Sequence, residues 1–247
     1  MPTVPLFGQT LSELEQLTLT EGLPKFAAKQ VARWLYTSNV TSIDAMSNLS
    51  LANRRKLSNG YTFGLTPFSK VAESTDGTRK YLFPTANGHS VEAVVIPDPN
   101  RVTLCISTQI GCRMGCDFCM TGQQGFQGNL TAGEILNQLR SIPEWGSITN
   151  LVYMGMGEPF DNLENVLKST EILTSSWGMT MSPRRITVST IGIIPAMRKF
   201  LHRSQCHLAI SLHTPFDEQR RELMPIQQSQ PISELSLIHI SEPTRPY

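Results

Sequence analysis

No stretch of this chain supplies the roughly 20 consecutive apolar residues that a helical membrane span needs, so a membrane partner is not expected. The opening MPTVPLFGQT has neither the basic nor the apolar segment of a secretory leader, which points to a cytoplasmic, reducing location. Internal repeats and low-complexity tracts are missing, and with them the solenoid and fibrous classes. Charge of one sign is not in excess either. Lys and Arg number 21 against 20 Asp and Glu, a net +1, so the whole-protein field argues neither for nor against nucleic acid. Cysteine is scarce, five in 247 residues. In a reducing compartment, clustered cysteines more often bind metal or do redox work than form disulfides. What is present, 40% hydrophobic and 17% charged residues, suits one large globular domain or a large one with a small one.

Three regions differ in pattern. Residues 1–65 read as a small helical domain. Pro24 suits the first position of a helix in which Ala27, Val31, Trp34 and Leu35 share a face, and Ser50 suits the cap of another that stops near Gly60. Opposite the apolar face, Lys25, Lys29 and Arg33 form a basic stripe; residues 1–70 hold seven Lys or Arg against four Asp or Glu. Such a stripe is either a solvated face or a phosphate contact of an RNA-binding accessory domain. Residues 66–100 carry turn signals at Asp76–Gly77 and Asn87–Gly88 between β-branched and aromatic runs, the pattern of a three-stranded meander acting as a linker. From residue 101, the strand candidates TLCIST (103–108), NLVYMGMG (150–157), RRITVST (184–190) and HLAISLH (207–213) are interspersed with the helical segments TAGEILNQLRSI (131–142) and NLENVLKSTEIL (162–173). Alternation of this kind predicts an α/β fold with a parallel sheet, and in such sheets ligands gather at the carboxyl ends of the strands.

The chemistry starts at GCRMGCDFCMTG, residues 111–122, which holds Cys112, Cys116 and Cys119. Three thiolates on one loop can wrap three corners of an iron–sulfur cube and leave one iron open. A Cys₃His zinc site is the rival, and its histidine would have to arrive through the fold from His89, His202, His207 or His213. Cys206 reads as packing.

CxxxCxxC followed by GMGEP resembles the radical S-adenosylmethionine superfamily. The segments TLCISTQIGCRMGCDFCMTGQQGFQGNLTAGEI, VYMGMGEPFDN, SPRRITVSTIGIIPAM and LAISLHTPFDEQRRELMPI resemble its family that methylates C2 of adenosine in ribosomal and transfer RNA. The resemblance runs from about residue 11 to about residue 235. It implies a [4Fe-4S] cluster on Cys112, Cys116 and Cys119, with S-adenosyl-L-methionine on the open iron. It also implies cofactor contacts at Gly157, Glu158, Ser189, Ser211, Leu212 and His213. By the same resemblance, a radical derived from one cofactor molecule activates a methyl group placed by another on a cysteine near the family's C-terminus. Cys105 then matches the thiol that resolves the protein–RNA link as a disulfide, and Glu92 the base that removes the C2 proton. Read alone, Cys105 is a buried strand cysteine, and Glu92 is either a solvent-facing edge residue or a partly buried carboxylate beside Val94 and Ile96 whose pKa burial would raise. The implied partners are large-subunit ribosomal RNA, transfer RNA and a low-potential electron donor protein, with the chain a monomer.

The basic pairs at 184–185, 198–199, 202–203 and 220–221 could line an RNA-facing rim, or be solvated. The family's barrel has six strand–helix units, and 101–235 accounts for about four, so a partial, open barrel is expected. Similarity fades after PISEL (231–235). The remaining 236–247, SLIHISEPTRPY with Ser236 first, reads as a tail foreign to the family without continuing periodicity. The methyl-carrying cysteine and an asparagine contact belong to the part not matched, which makes an inactive fragment the expectation for this chain. Two other readings stay open: a sister group methylating C8 of adenosine, and a non-catalytic zinc module that binds RNA.

Overall fold

In the computed structural model, which describes residues 3–85 and 87–241, seven strands form one mixed sheet: β1 Lys70–Glu73, β2 Arg79–Pro84, β3 Ser90–Asp98, β4 Arg101–Cys105, β5 Asn150–Tyr153, β6 Ile186–Thr190 and β7 His207–Ile210. Their order is β7-β6-β5-β4-β3-β2-β1. Strands β4 to β7 are parallel, while β1 to β4 pair antiparallel. The meander is therefore not a separate linker. It continues the parallel sheet directly, because β3 turns through Asp98–Arg101 and pairs with β4 from Val94–Cys105 onward.

Helices α4 Ala132–Arg140, α5 Leu163–Thr174 and α6 Ile194–Arg203 connect the parallel strands in turn. The strand alternation gives one apolar face, with Leu104, Leu151, Ile186 and Val188 fully buried in one cluster with Ile135, Leu136, Val166, Ile172 and Phe200 of these helices. Tyr153 reaches through that layer, its hydroxyl 2.7 Å from Ser169 Oγ in α5.

The helical part comprises α1 Leu11–Thr20, α2 Ala27–Thr37 and α3 Leu51–Gly60. A Thr10–Glu13 capping box opens α1, and Ser50 caps α3 as expected. Pro24 lies outside its helix: α2 begins at Ala27, whose N–H bonds Pro24 O, because residues 24–26 form a turn instead of a first helical turn. Of the apolar face read for α2, Ala27, Val31 and Leu35 are buried and Trp34 is half-buried, while Lys25, Lys29 and Arg33 are exposed. Arg140 of α4 pins this part to the sheet domain by donating to Ser38 O and Val40 O.

Beyond β7 come α7 Asp217–Leu223 and α8 Ile232–Ser241. Helix α8 runs across the limit drawn at residue 235, since no Gly or Pro interrupts ISELSLIHIS. Leu235 is buried against Gly192, whereas residues 242–247 of the expected tail lie outside the described residues. No helix among the described residues is long and apolar enough to cross a membrane.

Candidate cofactor and catalytic site

The second face of the sheet is only half covered. Its register aligns Val94, Cys105, Val152 and Thr187 across four strands, and alternation adds Glu92 beside Val94 and Ser189 beside Thr187. Ser211 N–H bonds Thr190 O at 2.8 Å, and its hydroxyl stands 3.3 Å from Ser189 Oγ. Glu92, Cys105, Ser189 and Ser211, taken from four separate segments, thus share one face near the carboxyl ends of the parallel strands. Burial pushes the Cys105 thiol's pKa up, opposed by an N–H bond from Met154.

The cysteine loop leaves β4. Gly111 enters it at φ +71°, and any side chain there would strike Gly125 O, 1.7 Å from its Cβ position. Cys112 and Cys116 are buried and Cys119 is half-buried. Burial first, then the like charges of Cys112 and Cys119, push the Cys116 thiol up to about 11. Cys112 is also shifted upward, by burial and then by Glu158 and Cys119. The three thiols therefore sit within electrostatic reach of one another. Among the described residues, no three His, Cys, Asp or Glu side chains stand close enough to hold one metal ion. Three thiols on one short loop supply three corners of a four-iron cube and leave the fourth iron free. His213 does approach the loop, at φ +61°, but as an aromatic neighbour: its ring centroid is 4.4 Å from that of Phe118. Leu212, beside it, is exposed.

The neighbouring loop, residues 154–162, is locked from below. Gly157 has φ +95°, and a Cβ there would lie 2.4 Å from Gln109 Cβ. Gln109 is fully buried and spends every polar atom: Oε1 accepts from Glu158 N–H at 2.8 Å, and Nε2 donates to Asn129 and Asp161 at 2.7 Å each. Ser107 ties Glu92 O to Met156 N–H. Asp161 also receives Arg113 Nε at 2.8 Å, which joins the cysteine loop to this one.

The two carboxylates of the site differ in their surroundings. Glu158 is 3% exposed and already accepts from Thr190 Oγ1 (2.6 Å), Phe160 N–H (2.9 Å) and Ile191 N–H (3.0 Å). Burial outweighs these bonds and raises its pKa. Of the two readings of Glu92, the structure favours the solvent-facing one: its side chain is 42% exposed and paired to Lys80 Nζ at 3.0 Å.

Comparison with known proteins then separates the open readings. Residues 106–232 match the radical SAM superfamily model, and residues 4–62 match the ribosomal RNA large subunit methyltransferase N-terminal domain. A probable dual-specificity RNA methyltransferase RlmN from Bacteroides fragilis is 53% identical over 235 residues, covering 95% of this chain and 68% of that protein. This chain belongs to the RlmN family. An RlmN protein from Syntrophotalea carbinolica is 46% identical over 234 residues, covering 94% of this chain and 63% of its own length. The crystal structure of a radical SAM methyltransferase from Sphaerobacter thermophilus matches with a TM-score of 0.88 at 37% identity, over 95% of this chain and 71% of that one. The chain thus spans about two thirds of the length of these relatives, and its sheet is a partial radical SAM fold. Family membership implies a [4Fe-4S] cluster and S-adenosylmethionine, and the three-thiol loop fits the first of these.

Several supporting residues carried no sequence signal. Gln109 and Ser107 are ordinary polar residues of a strand end, and only the fold shows that they are buried. Arg220, read with Arg221 as part of a basic rim, is fully buried; Arg221 alone is exposed.

Proposed function

We propose that this chain is the cluster- and cofactor-binding part of an RNA methyltransferase that acts on C2 of adenosine in large-subunit ribosomal RNA and in transfer RNA. The observation that carries the reading is the placement of Cys112, Cys116 and Cys119 on one loop beside the Gly157 loop, at the carboxyl ends of parallel strands. When bound, the cluster supplies the electron that cleaves the sulfonium of S-adenosylmethionine, chemistry suited to an electron-poor ring carbon that no methyl cation equivalent would attack.

The chain's own residues divide the remaining work. Gly157 gives the cofactor close access to backbone. The contact at Glu158 falls to its carbonyl oxygen, since its carboxylate and its N–H are engaged internally. Ser189 and Ser211 offer hydroxyls on the open face, and Leu212 with His213 borders it. Glu92 would accept the C2 proton, and Cys105 would supply the thiol that closes a disulfide with the methyl-carrying cysteine. With three cysteines on the cluster, Cys105 resolving and Cys206 packed in the core, none of the five is left to carry the methyl group. The chain by itself accordingly binds cluster and cofactor without methylating RNA. Its exposed Lys25, Lys29 and Arg33 support phosphate contact by the helical part. A monomer fed by a low-potential electron donor protein completes the picture.

Anaerobic reconstitution with iron and sulfide, followed by ribosomal RNA digestion and mass analysis, tests the reading. Labile sulfide and a cofactor-dependent change in the cluster's EPR spectrum are expected, without methylated adenosine. Zinc without sulfide overturns the reading, and C2 methylation by this chain overturns its last part.

A further inference from the structure

Helix α7 places a charge where none was expected. Arg220 is 0% exposed, and a buried guanidinium is costly unless an anion compensates it. Its Nη1 donates to Gln227 Oε1 at 2.6 Å and, at 3.4 Å, to Gln230 O; its Nη2 donates to Ile191 O at 2.7 Å. All three acceptors are neutral. Nε has no partner among the described residues. Among the described residues, no carboxylate stands within ion-pair reach; Asp217 connects only through the Gln227 amide, 2.7 Å away.

The segment that carries this cation touches the cysteine loop at two points. Asp117 N–H bonds Leu223 O, at the end of the same helix, at 3.0 Å. Pro225 Cγ stands 3.9 Å from the Cβ position of Gly115. Burial lowers the guanidinium's pKa, and the charges of Cys116 and then Asp217 oppose it. The loop presents three thiols, and as thiolate cluster ligands they would bring anionic charge to a cation that has no direct ion pair among the described residues.

We propose that Arg220 is a positioning residue for the cluster, clamping the loop after β6 and the 227–230 turn behind the segment that touches the cysteine loop and offsetting the negative charge of the thiolate-bound cube. The proposal rests on the cluster reading above. One-electron reduction adds a negative charge to the cube, so a nearby buried cation favours the reduced form.

The test compares the parent chain with R220K and R220Q after anaerobic reconstitution. Iron and labile sulfide are counted, and the reduced fraction is followed by EPR while dithionite and mediators set the solution potential. R220K is expected to track the parent. R220Q is expected to hold iron, with its reduced-to-oxidised ratio at the parent's midpoint lowered about tenfold, about 59 mV for a one-electron couple. Any result in which R220K fares no better than R220Q overturns the proposal. If circular dichroism shows R220Q unfolded, R220K decides alone: a parent-like potential upholds the role of the charge, and a stripped or shifted cluster overturns it. A parent chain without labile sulfide fails at the cluster reading, before any variant is compared, and takes this proposal with it.

Discussion

The loop bearing the three thiols and the loop at residues 154–162 leave neighbouring parallel strands, yet they are held in unlike ways. The first exposes Arg113, Asp117, Phe118 and Met120 and is tethered by scattered bonds such as Asp117 N–H to Leu223 O. The second is threaded on buried polar side chains, with Gln109, Glu158 and Asn162 each making at least two hydrogen bonds. Asn162 alone donates to Thr108 O and Leu130 O. The difference assigns separate tasks. On the proposed function, one loop carries the cluster ligands, whereas the other is held by buried hydrogen bonds beforehand and fixes where the first can sit.

The sharpest way to break that contrast is to disturb the rigid loop where it has no slack. G157A places a Cβ 2.4 Å from Gln109 Cβ on a backbone with φ +95°. Strain and overlap together are expected to destabilise the chain by roughly 3 kcal/mol or more, measured by chemical denaturation without cluster. A loss under about 1 kcal/mol would show that the loop can slide, and the contrast would fall.

Next in size is E158Q. An amide keeps the shape but turns an NH₂ group toward at least one of the three donors that the carboxylate now accepts. A cost of about 1–3 kcal/mol is expected. The variant also has a pH signature. Burial raises the carboxyl's folded pKa above its unfolded value, so the folded state binds the proton more tightly. That contribution to stability is complete below the unfolded value near 4.5 and is lost as pH rises through the folded one. Denaturation midpoints across this window should fall with rising pH in the parent relative to E158Q, and parallel curves would refute the assignment.

C116A probes the other loop and should show the reverse balance. In the cluster-free chain it removes a buried sulfur that accepts no side-chain partner, at a cost of about 1 kcal/mol. Reconstitution is where it should fail, with iron per chain well below the parent. Iron retained at the parent's level would deny Cys116 its place as a ligand.

These outcomes bear on how much the amino-acid sequence disclosed. Cysteine spacing, GMGEP and the strand–helix alternation were legible because ligand chemistry and backbone periodicity are local properties. Cys206 was rightly placed in the core for the same reason. The internal partners of Glu158, Thr190 and Ile191, were not legible because they stand more than 30 residues away. Arg220 was misread because an RR pair looks alike on a rim and in a core. The continuity of the meander with the parallel sheet depended on the pairing of Val94 with Cys105, a register that neither segment encodes alone.

The smallest effect should come from the Arg113–Asp161 ion pair, which spans the two loops. Arg113 lies over the Phe126 ring, 3.9 Å from its centroid, and gives Nε to Asp161 Oδ2 at 2.8 Å. Its side chain is 52% exposed, so screening by water leaves the pair about 0.5 kcal/mol in the cluster-free chain. R113M keeps much of the ring contact and removes the charge, and denaturation should barely register it. If the rigid loop positions the thiol loop, however, the tether matters more for assembly than for folding. R113M should then bind iron more slowly than the parent while reaching the same final content. Equal rates of iron uptake would mean that the loops meet without this pair, and the positioning would have to run through Gln109 and Gly157 alone.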